Sequence, residues 1–362
     1  MSILAVYSST GTLAYKYQSG NTEYYLFKHG IIMILGFALM YMGHFVKYTF
    51  YARIANIAIL VAIPLLFLTL LMGSNINEAS RWLTLPIIGL SFQTSDFAKV
   101  ALILYVARML SKKQDNIKDF KSAFVPIIIP VGLVCGLILP ANFSTAAVLF
   151  TTCIILMFIG RISVKFIAYL IGIAISLFAI FLIVAYLTGY QGRIETWKAR
   201  IENFSEGKEE GNYQVEQAKI AIATGGILGK GPGNSDQRNF LPHPYSDFIF
   251  AIIVEEYGMI GGLFIVFLYL LLFYRALQIV KRTERAFAAL ITIGCAFSLV
   301  FQALINMAVA VNLFPVTGQP LPMLSMGGTS IWFTSAALGI ILSVSSEIDK
   351  TEAETANNVA LA

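Results

Sequence analysis

The sequence predicts an all-α membrane protein that crosses the bilayer many times. Hydrophobic residues make up 57% of the 362 residues and charged residues only 12%, and the mean hydropathy is +0.76. Soluble domains contain about a quarter charged residues, so a soluble fold is excluded. The chain also contains a series of apolar runs, each about as long as a helix that crosses a membrane.

Nine apolar runs suit a hydrocarbon layer of about 30 Å. In chain order they lie near residues 29–46, 55–73, 95–110, 123–139, 145–160, 166–189, 248–274, 286–311 and 328–345. Residues 2–8 are too few to cross hydrocarbon, so we interpret them as the end of a further span whose first part is largely missing from this chain. Because no basic segment precedes a cleavable apolar region, no signal peptide is expected.

Basic residues between the runs predict the orientation of the chain. The basic connections hold Lys47 and Arg53, then Lys112, Lys113, Lys118 and Lys121, then Arg161 and Lys165, then Arg275, Lys281, Arg282 and Arg285. Connections of this kind face the cytoplasm. The remaining connections, near 74–94, 140–144, 190–246 and 312–327, are expected outside. The tail 347–362 is then cytoplasmic, and residues 1–362 are predicted to form a single integral membrane domain with one long extracytoplasmic loop.

Several kinds of site are excluded by the sequence. The net charge of +5 mostly reflects orientation, so no nucleic-acid partner is expected. The cysteines lie within apolar runs, where they act as small apolar side chains. The three histidines are scattered and no H-E-x-x-H sequence occurs, so no zinc site is predicted. The stretch "GGILGKGPGNS" at 225–235 lacks the spacing of a phosphate-binding loop.

Three carboxylates follow the proline-containing loop that ends the long outer connection, in "LPHPYSDFIFAIIVEE". Asp247 is expected at the outer mouth of a span, as a catalytic group or as the N-cap of the helix. Glu255 and Glu256 lie roughly 12 to 14 Å deeper at 1.5 Å per helical residue. We interpret them as structural groups that face protein or a water cavity. Gly258 and Gly262 form a G-x-x-x-G step that predicts close helix packing.

A second polar group is expected at another outer mouth, in "FQTSDFAKVAL". Asp96 and Lys99 are three residues apart, so they share a helix face and can pair, as a site or as a helix-end ion pair. Arg81 precedes Trp82 in a short outer loop and is either an anion ligand or an interfacial anchor. The segment 314–330, "FPVTGQPLPMLSMGGTS", breaks the chain between two spans, which predicts a cavity wall.

These stretches resemble, in order, the signatures of the SEDS family, the shape, elongation, division and sporulation proteins represented by FtsW and RodA. The resemblance rests on "FQTSDFAKVALILYVAR", "GGILGKGPGNS", "LPHPYSDFIFAIIVEEYGMIGG" and "TGQPLPMLSMGGTS", and "GKGPGNSDQR" is closer to the FtsW branch. It implies a ten-span helical bundle in the bacterial cytoplasmic membrane. It also implies an enzyme that polymerises lipid II on the outer face, beside a class B penicillin-binding protein and other divisome or elongasome proteins.

The resemblance also implies roles for single residues. Asp247 matches the essential aspartate of the family, although Tyr245 and Ser246 replace the usual His and Thr. Asn142 stands where many relatives have Asp, which argues against an acidic role there. The implied substrate-binding positions are Arg81, Asp96, Lys99, Gln217 and Lys219.

Glycan polymerisation explains why these residue types would be needed. A carboxylate at Asp247 can act as general base for a sugar hydroxyl in an inverting displacement. The lipid pyrophosphate that leaves requires cations, and the outward cations are Arg81, Lys99, Lys219, Lys230 and Arg238. A divalent cation, Mg²⁺ or Mn²⁺, bridged to Asp247 or to the pyrophosphate is a further option.

Two other functions stay open on the sequence. A transporter that flips lipid-linked precursors would also use intramembrane carboxylates and a cavity with a broken backbone wall, although no inverted repeat is evident. A structural scaffold for a cell-wall synthase is the other alternative. The carboxylate at Asp247 beside outward cations argues against a scaffold.

Overall fold

The computed structural model describes residues 1–72, 74–76, 79–84, 91–188 and 213–361, and within them the chain is mainly helical. The helices are α1 (Ser2–Ser9), α2 (Gly11–Tyr17), α3 (Thr22–Phe45), α4 (Tyr48–Met72), α5 (Thr94–Lys112), α6 (Val125–Ile138), α7 (Phe143–Ile159), α8 (Val164–Thr188), α9 (Tyr213–Gly225), α10 (Ile249–Arg282), α11 (Ala286–Ala310) and α12 (Thr329–Leu361). Short 3₁₀ turns cover Gln114–Asn116 and Gln237–Asn239, and a π-helical turn covers Phe120–Phe124.

Each of the nine apolar runs coincides with one of these helices, from α3 to α8 and from α10 to α12. Six of the described helices are long and apolar enough to cross a membrane by length and composition, and two shorter apolar helices cover Phe143–Ile159 and Val164–Ile180. Many large apolar side chains on α3, α8 and α10 are exposed. This is the surface expected of helices that contact lipid. The chain is therefore a multi-pass helical membrane protein.

The connection between α4 and α5 differs from the sequence prediction. The segment 74–94 was expected to be a plain outer loop, but strands β1 (Ser74–Ile76), β2 (Ala79–Thr84) and β3 (Ser91–Gln93) form an antiparallel sheet in the order β1-β2-β3. Trp82 pairs with Gln93 and Thr84 with Ser91. Strand pairing satisfies backbone N–H and C=O groups in this aromatic-containing connection. Periodicity did not indicate such short strands.

Asn142 has a structural role at the start of α7. Its Oδ1 accepts a hydrogen bond from the backbone N–H of Thr145 at 3.3 Å, and its backbone is extended, as in a helix N-cap. A neutral amide caps the helix as an aspartate would. No acidic function is needed to explain a polar residue at this position.

The chain divides into two compact units. The first unit comprises Met1–Gly30, Val164–Leu268 and Gln302–Met326, and the second comprises Ile31–Ser163, Tyr269–Phe301 and Gly327–Ala362. Asp247 and four predicted ligands belong to the first unit: Gln217, Lys219, Lys230 and Arg238. Arg81, Asp96 and Lys99 belong to the second. That residues 1–362 form a single integral membrane domain stays a prediction.

Candidate active site

Asp247 lies in a turn two residues before α10 begins. Its side chain is half-buried, and its Oδ1 accepts a hydrogen bond from the hydroxyl of Ser246 at 2.9 Å. The backbone N–H groups of Ala251 and Ile252 donate to the carbonyl of Phe248, at 3.0 and 3.4 Å. Asp247 therefore lies beside the first turn of α10, and both its catalytic role and its role as N-cap stay predictions.

The proline- and glycine-rich loop after α11 packs against the same turn. The hydroxyl of Ser325 donates to the carbonyl of Ser246 at 2.6 Å, and the N–H of Met326 donates to the carbonyl of Tyr245 at 2.9 Å. Gly318 has φ of 64°, and a Cβ built on it would lie 3.6 Å from Oδ2 of Asp247. The loop therefore forms a wall beside the carboxylate, and the positive φ at 318 favours glycine there.

Two buried amide side chains on α11 hold this loop. Gln302 donates from Nε2 to the carbonyl of Pro320 at 2.9 Å. One turn later, Asn306 donates from Nδ2 to the carbonyls of Gln319 at 2.7 Å and of Asp247 at 2.8 Å. These residues were not singled out from the sequence. The available signal was a Gln and an Asn four positions apart in an apolar span, where polar groups face protein rather than lipid.

The deeper Glu255 is a fully buried carboxylate with hydrogen-bond donors on several sides. Its Oε1 accepts from Nζ of Lys230 at 2.7 Å, and the hydroxyl of Ser235 donates to Oε2. The backbone N–H groups of Asp236 and Gln237 also donate to it, at 3.2 and 3.3 Å. The structural interpretation of Glu255 is supported, since buried charges require a partner of this kind.

Lys230 is shared between two carboxylates. It contacts Asp236 at 2.9 Å as well as Glu255. The hydrogen bond to Asp236, followed by that to Glu255, raises the pKa of Lys230, and Lys230 in turn lowers the pKa of Asp236. The lysine that the sequence suggested for an anionic substrate thus neutralises acidic groups of its own chain.

Arg238 and Glu256 meet at helix α1. The hydroxyl of Ser8 donates to Oε1 of Glu256, and Nη1 of Arg238 donates to the carbonyl and hydroxyl oxygens of Ser8 at 3.3 and 3.1 Å. Arg238 also donates to the carbonyl of Gly233 at 2.8 Å. This arginine therefore joins α1 to the glycine-rich turn, which residues 226–234 form.

The glycine-rich turn docks where α10 is broken. Gly258 has non-helical backbone angles, φ 69° and ψ −174°. Four hydrogen bonds join the two segments: Lys230 N–H to Glu255 C=O, Gly231 N–H to Glu256 C=O and Met259 N–H to Gly226 C=O, each at 2.9 Å, and Ile260 N–H to Ile227 C=O at 3.3 Å. A Cβ at Gly225, Gly229 or Gly258 would collide with the facing backbone. The G-x-x-x-G prediction was wrong about the neighbour of Gly258, because the turn and not a second helix approaches it.

The other predicted ligand positions of this unit lie on α9. Val215, Ala218 and Ala221 are buried against Leu241, Phe248, Ala251, Ile252 and Val309. Lys219 lies on the exposed side and Gln217 is partly exposed. The apolar face thus docks α9 onto the start of α10, which leaves Lys219 accessible.

In the second unit, Asp96 and Lys99 form the expected ion pair. Nζ of Lys99 lies 2.8 Å from Oδ1 of Asp96, and Asp96 is only 3% exposed. Within the described residues, Oδ2 of Asp96 has no hydrogen-bond partner. Arg81 lies in β2, but its side chain falls outside the described part of the chain. The substrate-binding role of all three residues stays a prediction.

Comparison with known proteins identifies the family. The model of the FtsW/RodA/SpoVE cell cycle proteins matches residues 1–350. A protein of Geobacter sulfurreducens (strain DL-1 / KN400) named "Probable peptidoglycan glycosyltransferase FtsW" is 31% identical over 350 residues, which are 96% of this chain and 91% of that protein. "Stage V sporulation protein E" of Bacillus subtilis (strain 168) is 30% identical over 356 residues, 95% of this chain and 92% of that protein.

Solved structures share the fold. A chain from a structure described as "Structural coordination of polymerization and crosslinking by a peptidoglycan synthase complex" is 24% identical, with a TM-score of 0.72 and 96% of each chain covered. The rod shape determining protein RodA of Thermus thermophilus is 23% identical, with a TM-score of 0.64 and 94% of each chain covered. The predicted fold class is confirmed. With the family model matched over nearly the whole chain, the protein belongs to the FtsW/RodA/SpoVE family.

Proposed function

We propose that the protein is a peptidoglycan glycosyltransferase that joins lipid II units into glycan strands, with Asp247 as general base. The observation that carries the proposal is a half-buried carboxylate at the start of a membrane-spanning helix, held by Ser246, Asn306 and the loop at Gly318. The names of the curated relatives support the same activity. A scaffold would not require a carboxylate fixed in this way.

The chemistry is a displacement at an anomeric carbon. A hydroxyl oxygen of the acceptor sugar forms the new C–O bond while its proton passes to the carboxylate of Asp247. The bond between the anomeric carbon and the lipid pyrophosphate breaks, and the pyrophosphate leaves with the electron pair. One displacement inverts the anomeric centre and needs no nucleophile from the protein.

The leaving pyrophosphate needs positive charge. In the first unit we assign this role to the exposed Lys219, with Gln217 on the same helix as a polar contact. Lys230 and Arg238 already bind Glu255, Asp236 and Ser8, so we assign them to positioning the glycine-rich turn. Arg81, Asp96 and Lys99 remain proposed substrate ligands, to be tested by their own variants.

Binding of a divalent cation, Mg²⁺ or Mn²⁺, would depend largely on ligands that the substrate supplies. The described residues contain no group of three or more His, Cys, Asp or Glu side chains that could hold a metal ion. Asp247 would then be one ligand beside pyrophosphate oxygens, the hard oxygen donors that such ions prefer.

The proposed setting is the bacterial cytoplasmic membrane, with the active face outside. The alternation of basic connections supports this orientation. The likeness to a chain of a peptidoglycan synthase complex supports a class B penicillin-binding protein as partner. We propose that further divisome or elongasome membrane proteins bind the same assembly.

The decisive experiment uses Asp247→Asn, which nearly preserves volume while removing the base. Purified protein in detergent, with lipid II and the cognate class B penicillin-binding protein, should form glycan strands. The variant should lose about two orders of magnitude of this rate, the usual scale for a general base. Lipid II binding and the melting temperature should stay close to those of the unmodified protein.

Two outcomes would contradict the proposal. Near-normal polymerisation by folded Asp247→Asn would remove this residue from the chemistry. Absence of glycan product, together with movement of lipid II across vesicle membranes by the unmodified protein, would favour the transporter. Including the partner protein matters, because the isolated subunit could be inactive for want of its partner.

A further inference from the structure

Asn306 is a buried amide that ties together the two segments beside Asp247. It is 2% exposed, and its Nδ2 donates to the carbonyl of Asp247 at 2.8 Å and to that of Gln319 at 2.7 Å. An amide group has two N–H donors. Both are used on backbone carbonyls that are 59 and 13 positions away in the chain.

The two carbonyls belong to the peptides that set the surroundings of the carboxylate. One is the carbonyl of Asp247 itself. The other belongs to Gln319, which follows Gly318, the residue that faces Oδ2 of Asp247. Fixing both peptides fixes the distance between the carboxylate and the loop wall.

The orientation of the Asn306 amide follows from its partners. If nitrogen and oxygen were exchanged, Oδ1 would face two carbonyl oxygens, and oxygen cannot donate to oxygen without a proton. In the observed orientation Oδ1 is buried and has no hydrogen-bond partner among the described residues. An unpaired buried acceptor lowers stability, which points to the N–H donors as the reason for an amide here.

We propose that Asn306 is a positioning residue that holds Asp247 in the geometry needed to accept the proton. The inference rests on the proposed role of Asp247 as base. Asn306 does not touch the reacting atoms; it acts through the backbone of residues 247 and 319. Displacements of about 1 Å can reduce a rate by about 100-fold, so a side chain with this contact can control turnover.

Gln302 provides a matched control. It lies one turn earlier on α11, is also buried, and binds the carbonyl of Pro320 in the same loop. Gln302→Leu removes the bond to the loop at Pro320. Asn306→Leu removes a bond to the same loop together with the bond to the carbonyl of Asp247.

The test measures kcat and KM for lipid II in the complex with the cognate penicillin-binding protein. Asn306→Leu should lower kcat by roughly 10- to 100-fold with little change in KM, and Gln302→Leu should lower it much less. In an Asp247→Asn background, adding Asn306→Leu should cause no further loss, since both changes act on the same carboxylate. Asn306→Asp, nearly isosteric but without the N–H donors, should behave like the leucine variant and serves if that variant does not fold.

The possible failures are distinguishable. If Asp247→Asn polymerises normally, the proposed function fails. If Asp247→Asn is inactive but folded Asn306 variants keep a normal kcat, the positioning role is overturned. The positioning role is also overturned if Asn306→Leu lowers kcat in the Asp247→Asn protein by the same factor as in the otherwise unmodified protein. Asn306 would then act independently of the carboxylate.

Discussion

At the scale of single residues, the buried Glu255 depends on Lys230 for charge balance. Lys230→Met removes that partner while keeping an unbranched side chain. Removing one member of a buried ion pair leaves an uncompensated charge, so the free energy of unfolding should fall by about 3 kcal/mol. Thermal unfolding of the detergent-solubilised protein measures the effect as a lower melting temperature.

The same site offers two controls. Asp236 is 74% exposed at its side chain, and exposed ion pairs contribute little, so Asp236→Asn should leave the melting temperature nearly unchanged. Adding Glu255→Gln to Lys230→Met removes the unbalanced charge and should recover part of the loss. A Lys230→Met protein as stable as the original would show that Glu255 needs no cation.

Local spacing predicted some contacts at this scale and could not predict others. The Asp96–Lys99 pair follows from two residues three positions apart on a helix. Asp247 was singled out as a candidate catalytic group through its position after a proline-containing loop. Asn306 was missed because its partner, the carbonyl of Asp247, is 59 positions away, and no local pattern encodes that contact. The ion pair of Lys230 with Glu255 was missed for the same reason, since the two residues are 25 positions apart.

At the scale of elements, the break in α10 and the glycine-rich turn form one unit. Gly258→Ala would place a methyl group against the carbonyl of Ile227, at a backbone angle that L-residues rarely adopt. We expect a large drop in the melting temperature, or no folded protein at all, because neither backbone can yield without losing hydrogen bonds. The measurement is the yield of monodisperse protein by size exclusion, followed by thermal unfolding.

Gly132 in α6 is the matched control for this glycine. Nothing lies within 4 Å of a Cβ at that position, so Gly132→Ala should be neutral or slightly stabilising, since alanine favours a helix. A Gly258→Ala protein with the stability of Gly132→Ala would contradict the docking of the turn. The sequence could not indicate that the glycine-rich turn docks at Gly258. The spacing of a glycine pair is the same whether a helix or a turn packs against it.

At the scale of the whole molecule, the basic connections predict which parts of the chain lie outside. Glu216→Cys, exposed on α9 within the long loop, should react with a membrane-impermeant thiol reagent in intact spheroplasts. Glu354→Cys, exposed near the end of α12, should react only after permeabilisation. The native cysteines Cys135, Cys153 and Cys295 are buried, so background labelling should be low.

The opposite labelling pattern, with Glu354→Cys accessible in intact cells, would invert the topology. Reaction of both positions without permeabilisation would indicate leaky spheroplasts, and a cytoplasmic marker enzyme in the medium controls for that. Hydropathy was sufficient to predict a helix at each of the nine apolar runs, because a helix satisfies its own backbone hydrogen bonds within lipid. It could not find β1, β2 and β3, which are too short to impose a period on the sequence.

The contacts of α1 have a practical consequence for recombinant production. Ser8 supplies a donor to the buried Glu256, and Ser2 is hydrogen-bonded to His29 and to the carbonyl of Leu324. One face of α1, which includes Ser2 and Ser8, is thus buried within the first unit. A tag fused at the amino end would lie beside these contacts, so a purification tag is better placed after Leu361.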